Sequence, residues 1–322
     1  MPRITTLDFT DNYTDLADEE EERRARRLER HKLKVVPAPA FDGLADLGSG
    51  ATNGFNPSYM GSRHERQWIL TYLGGFYDDH LITDVLRQVK GGKEATVYAC
   101  RAHPSTGYDL LAAKVYRPRM FRNLRNDAQY REGRSVLGDD GKAIRGRREW
   151  LAMHKGTRFG QELRHESWLA HEFGTLEFLQ GVGADVPKPI SLSENAMLME
   201  YFGGETGAAP TLNTVDLDLE QARPLFNRLM GNVELMLSHE RIHGDLSAYN
   251  VLYWEGRVTI IDFPQVVNAL ANPNAPAIFT RDVERLCRYF APYGITVDPV
   301  RLAQALWVKY YPDKPFSPVE RR

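Results

Sequence analysis

The chain has 322 residues, 42% of them hydrophobic and 26% charged, the balance of a folded protein with a sizeable core. A formal net charge of −2 argues against a whole-chain nucleic-acid binder. The two cysteines, Cys100 and Cys287, form neither a disulfide framework nor a metal-ligand spacing and point to a reducing, cytoplasmic compartment.

Residues 1–62 read as a polar arm and linker. An acidic run, Asp18 to Glu22, meets Arg23, Arg24, Arg26 and Arg27, and a Gly/Asn/Ser-rich stretch follows. Such a segment has few apolar residues to anchor it. The N-terminus shows no basic stretch leading into an apolar one, so no signal peptide is expected. No apolar run is long enough to span a membrane.

Order is expected from residue 63, opening an N-terminal lobe over 63–200. Trp68, Leu70, Leu73, Phe76, Ile82 and Val85 suggest one or two short helices. Glu94–Cys100 and Leu110–Tyr116 have the β-branched and aromatic character of strands, joined by a turn. Arg117 to Arg148 follows, with ten Lys/Arg against four Asp/Glu. An insertion over about 117–160 of this length in a folded domain is usually functional or disordered. Apolar spacing predicts a helix over 167–180, strands at 187–190 and 196–201, and a helix within 215–241. The C-terminal lobe, 201–322, continues with a polar loop, a hairpin over 251–261 and two closing helices.

The strongest motif is His243-Gly244-Asp245-Leu246-Ser247-Ala248-Tyr249-Asn250, followed twelve residues after Asn250 by Asp262-Phe263-Pro264. Phosphoryl transfer from ATP needs a carboxylate to orient the attacking hydroxyl and oxygen ligands to hold magnesium on the phosphates. Kinase-like folds supply these as His-x-Asp, an Asn five residues later, a hairpin, and a second Asp. Asp245 is the expected catalytic base; Asn250 and Asp262 are the expected metal ligands. Magnesium suits such an oxygen-only, partly hydrated site.

A second catalytic group is expected on a strand. Lys114, in Ala112-Ala113-Lys114-Val115-Tyr116, lies in an apolar stretch where an unpaired amine is costly. Its expected partners are the ATP phosphates and a helix glutamate. Glu172 is the first choice and Glu177, more than a turn further on, its rival. The turn Gly91-Gly92-Lys93-Glu94 precedes the lysine strand, with Val97 beside it, and its glycines allow backbone N–H groups near phosphates. Met199, Glu200 and Phe202 end the strand expected to form the hinge, where backbone groups would hold adenine.

GGKEATVYAC (91–100), LLAAKVYRP (110–118), WLAHEF (168–173), HGDLSAYNVLY (243–253) and IIDFPQVVN (260–268), in that order, resemble the RIO family of atypical serine/threonine protein kinases. The resemblance covers about residues 85–290. It implies an α+β, two-lobed kinase-like fold, reduced by the loss of the activation segment and peptide-binding lobe. It also implies that Lys114, Asp245, Asn250 and Asp262 carry the family's ATP, base and metal roles, and that 117–160 is its flexible loop. Some RIO members act as ATPase switches through an aspartyl-phosphate, which would form here on Asp262. Members in eukaryotes and archaea serve small-subunit maturation, which implies a ribosomal partner beside a protein substrate. The basic insertion, through Arg122, Arg125, Arg131, Arg145, Arg147 and Arg148, is the candidate contact with ribosomal RNA phosphates. No winged-helix pattern precedes Gly91, yet Asp-Phe-Pro-Gln resembles the branch that carries one, so subfamily features mix as in a bacterial-type member.

Two other readings share these motifs. A small-molecule phosphotransferase of the aminoglycoside or choline kinase kind also uses His-Gly-Asp and a metal-binding Asp. The 60 residues after Asp262 leave little for its helical substrate lobe. An assembly factor switched by ATP occupancy would use the same nucleotide-binding groups with incidental turnover.

Overall fold

The computed structural model describes residues 54–92, 95–116 and 158–319, with the backbone alone for 158–166. Most of the expected arm, residues 117–157 of the loop expected over about 117–160, and Lys93 and Glu94 lie outside the described residues, while residues 158–160 already belong to a helix.

The first lobe is a five-stranded antiparallel sheet in the order β1-β2-β3-β5-β4. Its strands are β1 (Ile82–Gly91), β2 (Ala95–Ala102), β3 (Leu110–Tyr116), β4 (Pro189–Leu192) and β5 (Ala196–Glu200). Helix α1 (Arg63–Asp78) covers one face. The strand period of two divides the side chains. Tyr98, Cys100, Leu111, Ala113, Val115, Ala196 and Leu198 pack with Ile69, Leu73 and Phe76 of α1. The opposite faces of β2, β3 and β5 present Val97, Ala112, Lys114 and Met199 to the second lobe.

Two expectations are corrected. Ile82 and Val85 belong to strand β1, not to a helix. The pairing of β1 with β2 slips between Ile82 and Asp84, between Val85 and Arg87, and between Gln88 and Lys90. Such bulges displace apolar residues from alternation and leave a spacing of three that imitates a helix. The arm, read as running to residue 62, already packs at Phe55, which is buried 4.8 Å from the Tyr77 ring. Ser58 then donates to Asp84 through its N–H (2.7 Å) and hydroxyl (2.6 Å), and the Tyr59 N–H to the Val85 carbonyl (2.9 Å).

Helix α2 (Arg158–Gly181) crosses between the lobes. The second lobe holds α3 (Leu219–Ser238), the two-residue pairing of β6 (Arg241–Ile242) with β9 (Val267–Asn268), the hairpin β7 (Val251–Trp254) and β8 (Arg257–Ile260), and α4 (Ala275–Phe290) and α5 (Pro299–Tyr310). Leu225, Leu229, Val233, Val251, Ile260, Phe263, Ile278, Leu286 and Trp307 build its core. Only residues 263–274 separate Asp262 from α4, too few for the activation segment of an ordinary protein kinase. Among the described residues no helix is long and apolar enough to cross a membrane.

Candidate active site

Lys114 owes its position to β3. It stands in register with Val97 of β2 and Met197 of β5, so its stem is walled by apolar side chains. Its ammonium is buried and donates to Glu172 Oε1 at 2.7 Å and to Asp262 Oδ1 at 2.8 Å. Burial pulls its pKa down, but the Asp262 and Glu172 carboxylates outweigh that and hold it well above the usual lysine value. Glu172 is fixed at both oxygens, since Tyr116 donates its hydroxyl to Oε2 at 2.8 Å. The rival Glu177 makes no ion pair with Lys114.

The loop between β6 and β7 carries the remaining polar groups. The Asp245 N–H donates to His243 Nδ1 (3.2 Å), which leaves His243 Nε2 to donate to the Ile261 carbonyl (3.1 Å). This is the neutral tautomer, and burial lowers the His243 pKa in agreement with it. His243 therefore braces the loop from beneath. Gly244 has φ +85, and a Cβ there would sit 2.4 Å from the Gln265 carbonyl oxygen. Asp282 of α4 accepts the N–H groups of Gly244 (2.7 Å) and Leu246 (3.1 Å), clasping the peptides on either side of Asp245. Arg281 donates to the Gly244 carbonyl at 2.7 Å.

Asp245 is half-exposed to the cleft. Arg285 Nη1 donates to its Oδ1 at 2.6 Å, while Asn250 Nδ2 donates to its carbonyl at 2.9 Å and approaches Oδ2 at 3.4 Å. These bonds commit the Asn250 amide nitrogen and leave its oxygen as the available ligand atom. The Ile261 N–H donates to the Asn250 carbonyl at 2.9 Å, which sets the residue before Asp262 against the end of the loop. Asp262 has φ +72, a left-handed conformation that carboxylate residues tolerate but that persists only where the surroundings enforce it. Burial pushes its carboxyl up, but Lys114 prevails and holds it below the usual aspartate value.

These groups share one cleft of about 810 Å³ between the lobes. Gly92, Val97, Lys114, Glu172, Met199, Glu200, Phe202, Asp245 and Asp262, all singled out from the sequence, line it. Gly91 lies at the end of β1, opposite Thr96, and Asn250 is buried behind the lining. In the hinge, the Glu200 N–H is taken by the Lys188 carbonyl and the Phe202 carbonyl by the Ala209 N–H, both at 2.9 Å.

The RIO domain family model matches residues 97–302. The chain belongs to the RIO family. It is 29% identical over 137 residues to the RIO-type serine/threonine-protein kinase Rio1 of Thermoplasma acidophilum, covering 42% of this chain and 70% of that one. It is 27% identical over 223 residues to human serine/threonine-protein kinase RIO1, covering 69% of this chain and 36% of the other. With Caenorhabditis elegans serine/threonine-protein kinase RIO2 it shares 31% over 153 residues, covering 45% of this chain and 28% of the other. The match thus spans less than half of either animal protein. Similarity to both RIO1 and RIO2 proteins accords with the mixed motifs.

Four residues of this RIO site escaped the sequence reading. Tyr116, two positions after Lys114 on the same strand face, was legible in principle from period two. Asp282 and Arg285, three apart on α4, face the loop from below, and Arg281 joins them. A buried Asp in an otherwise apolar helix face was the one available signal.

Proposed function

We propose that this RIO protein binds ATP with magnesium in the interlobe cleft and transfers the γ-phosphate to a serine or threonine hydroxyl of a protein, itself included. The observation that carries this reading is the buried Lys114, which contacts Glu172 and Asp262 at once in a cleft that also exposes Asp245. Adenine is assigned to the hinge, on the Glu200 carbonyl and the Phe202 N–H, because their other backbone groups are already engaged.

The residues present fit a divalent cation held jointly with phosphates. Asp262 and Asn250 offer two hard oxygen donors, and no cluster of three or more His, Cys, Asp or Glu suited to a metal occurs among the described residues. Magnesium accepts few protein ligands when phosphate oxygens and water complete its shell. When bound, it would neutralise charge on the transferring phosphoryl group. Lys114 orients the phosphates, Asp245 orients the acceptor hydroxyl and takes its proton, and Glu172 holds Lys114 in place. A cytoplasmic setting accords with two buried, unbridged cysteines. The ribosomal partner rests on the family resemblance and on a basic insertion outside the described residues.

The reading is tested with γ-labelled ATP, with products separated into free phosphate, phosphoprotein and phosphorylated small molecules. A basic protein and an aminoglycoside and choline panel serve as acceptors. Label on protein serine or threonine, absent in Asp245→Ala, supports it. Transfer to a small molecule, or slow release of phosphate alone, overturns it.

A further inference from the structure

Arg87 lies on β1, just before Val89 and Lys90, which line the cleft. Its side chain leaves its own lobe. Nη1 donates to the Glu205 carbonyl at 2.6 Å; Nη2 donates to the Tyr201 hydroxyl at 2.8 Å and the Gly204 carbonyl at 2.9 Å. The guanidinium carbon also sits 5.7 Å from the centre of the Tyr201 ring. These partners are 114 to 118 residues away in sequence.

The acceptors belong to a small hairpin that leaves the hinge. The Gly204 N–H bonds to the Gly207 carbonyl and the Ala209 N–H to the Phe202 carbonyl, each at 2.9 Å, and Gly203 bridges to Ala208. Gly203 has φ +136, and a Cβ there would meet the Gly207 carbonyl at 2.5 Å, so the hairpin is tightly wound. Tyr201, Phe202, Ala208 and Ala209 form part of the cleft wall. Arg87 therefore runs from the strand that roofs the cleft to the hairpin that floors its hinge end. A planar fork with several donors can satisfy two carbonyls and a phenol together, whereas a single ammonium cannot hold all three in this geometry. Neither hydrophobic core contains this contact. What it fixes is the separation of roof and hairpin.

We propose that Arg87 is a latch across the nucleotide cleft: it ties β1 to the hinge hairpin and slows nucleotide release. The inference rests on the nucleotide reading above. Arg87 is a positioning residue, acting through the walls of the site. ATP enters or leaves when the guanidinium lets go of the hairpin, so its loss accelerates both directions and release most.

The test compares wild type with Arg87→Ala, Arg87→Lys and Tyr201→Phe. Release of a fluorescent ATP analogue is followed by stopped flow, and amide exchange at Gly204 and Ala209 is measured without nucleotide. Arg87→Ala is expected to raise the release rate about tenfold, the equivalent of one charge-assisted hydrogen bond, and to speed exchange at both amides. Arg87→Lys and Tyr201→Phe are expected to fall between it and wild type. Release and exchange equal to wild type in Arg87→Ala overturn the latch. Wild type that binds no nucleotide overturns the nucleotide reading, and the exchange data then judge the roof-to-hairpin contact separately.

Discussion

Lys114 Nζ stands 2.7 Å from Glu172 and 2.8 Å from Asp262, so one buried cation joins the first lobe, the crossing helix and the end of the β7–β8 hairpin. Glu172 is the more deeply buried of its two partners. Its truncation leaves the ammonium to Asp262 alone and draws that carboxylate away from its metal role. Breaking a buried pair from one side costs about 3 kcal/mol or more. Glu172→Ala should therefore lower the melting temperature and cut phosphotransfer about a hundredfold. Glu172→Gln keeps the shape and should recover stability more than activity. Thermal melts beside rate measurements check this; a variant with wild-type rates would remove Glu172 from the site.

Magnesium alone should bind weakly. One carboxylate already engaged by Lys114 and one amide oxygen are a poor cage without phosphates. Magnesium without nucleotide is expected to leave the melting temperature unchanged, while ATP with magnesium raises it and chelation removes the difference. A large shift from magnesium alone would contradict the shared site.

Arg285 holds one oxygen of Asp245 at 2.6 Å, while the other meets only the Asn250 amide at 3.4 Å. Loss of that grip should cost orientation of the base and not nucleotide binding. Arg285→Ala is expected to lower kcat about tenfold with the KM for ATP unchanged, a charge-assisted bond being worth that much. Arg285→Lys, or added guanidinium ion, should restore part of the loss. A raised KM with unchanged kcat would place Arg285 in ATP binding instead.

Asp282 couples the loop to pH. Burial pushes its carboxyl up to about 7, against two backbone N–H groups and Arg281. Its unfolded value is about 3.9, so between those values the folded protein holds a proton that the unfolded chain has lost. This contribution to stability is full below about pH 4 and is lost as pH rises to about 7, with a slope near ~1.4 kcal/mol per unit. Asp282→Asn should remove that slope. Denaturant titrations of both proteins at pH 5 and pH 7 measure the difference, and parallel pH dependences would refute it.

The legible parts of the fold and site are those with short-range signatures. Lys114 announced itself as a charge in an apolar strand, and the two aspartates as a loop and a hairpin end at fixed spacing. The hairpin itself was readable because Glu255-Gly256 separates two apolar runs. What stayed hidden depends on packing between distant segments. The bulges of β1 erased its period. Phe55 finds a pocket that no local composition reveals. Arg285 and Asp282 serve the loop only because α4 folds back beneath it, some forty residues further along the chain. Arg87 reads as a strand lysine or arginine does, solvated and unremarked, until the hinge hairpin is set beside it.

The central claim is that Asp245 serves the acceptor while Asp262 serves the metal. It is tested most directly by measuring magnesium-ATP affinity and phosphotransfer to protein in wild type, Asp245→Asn and Asp262→Asn. The account predicts that both variants lose transfer by about a hundredfold or more, that Asp245→Asn keeps its ATP affinity, and that Asp262→Asn loses the magnesium-dependent part of it. Transfer that survives in Asp245→Asn, or magnesium dependence that survives in Asp262→Asn, would contradict it.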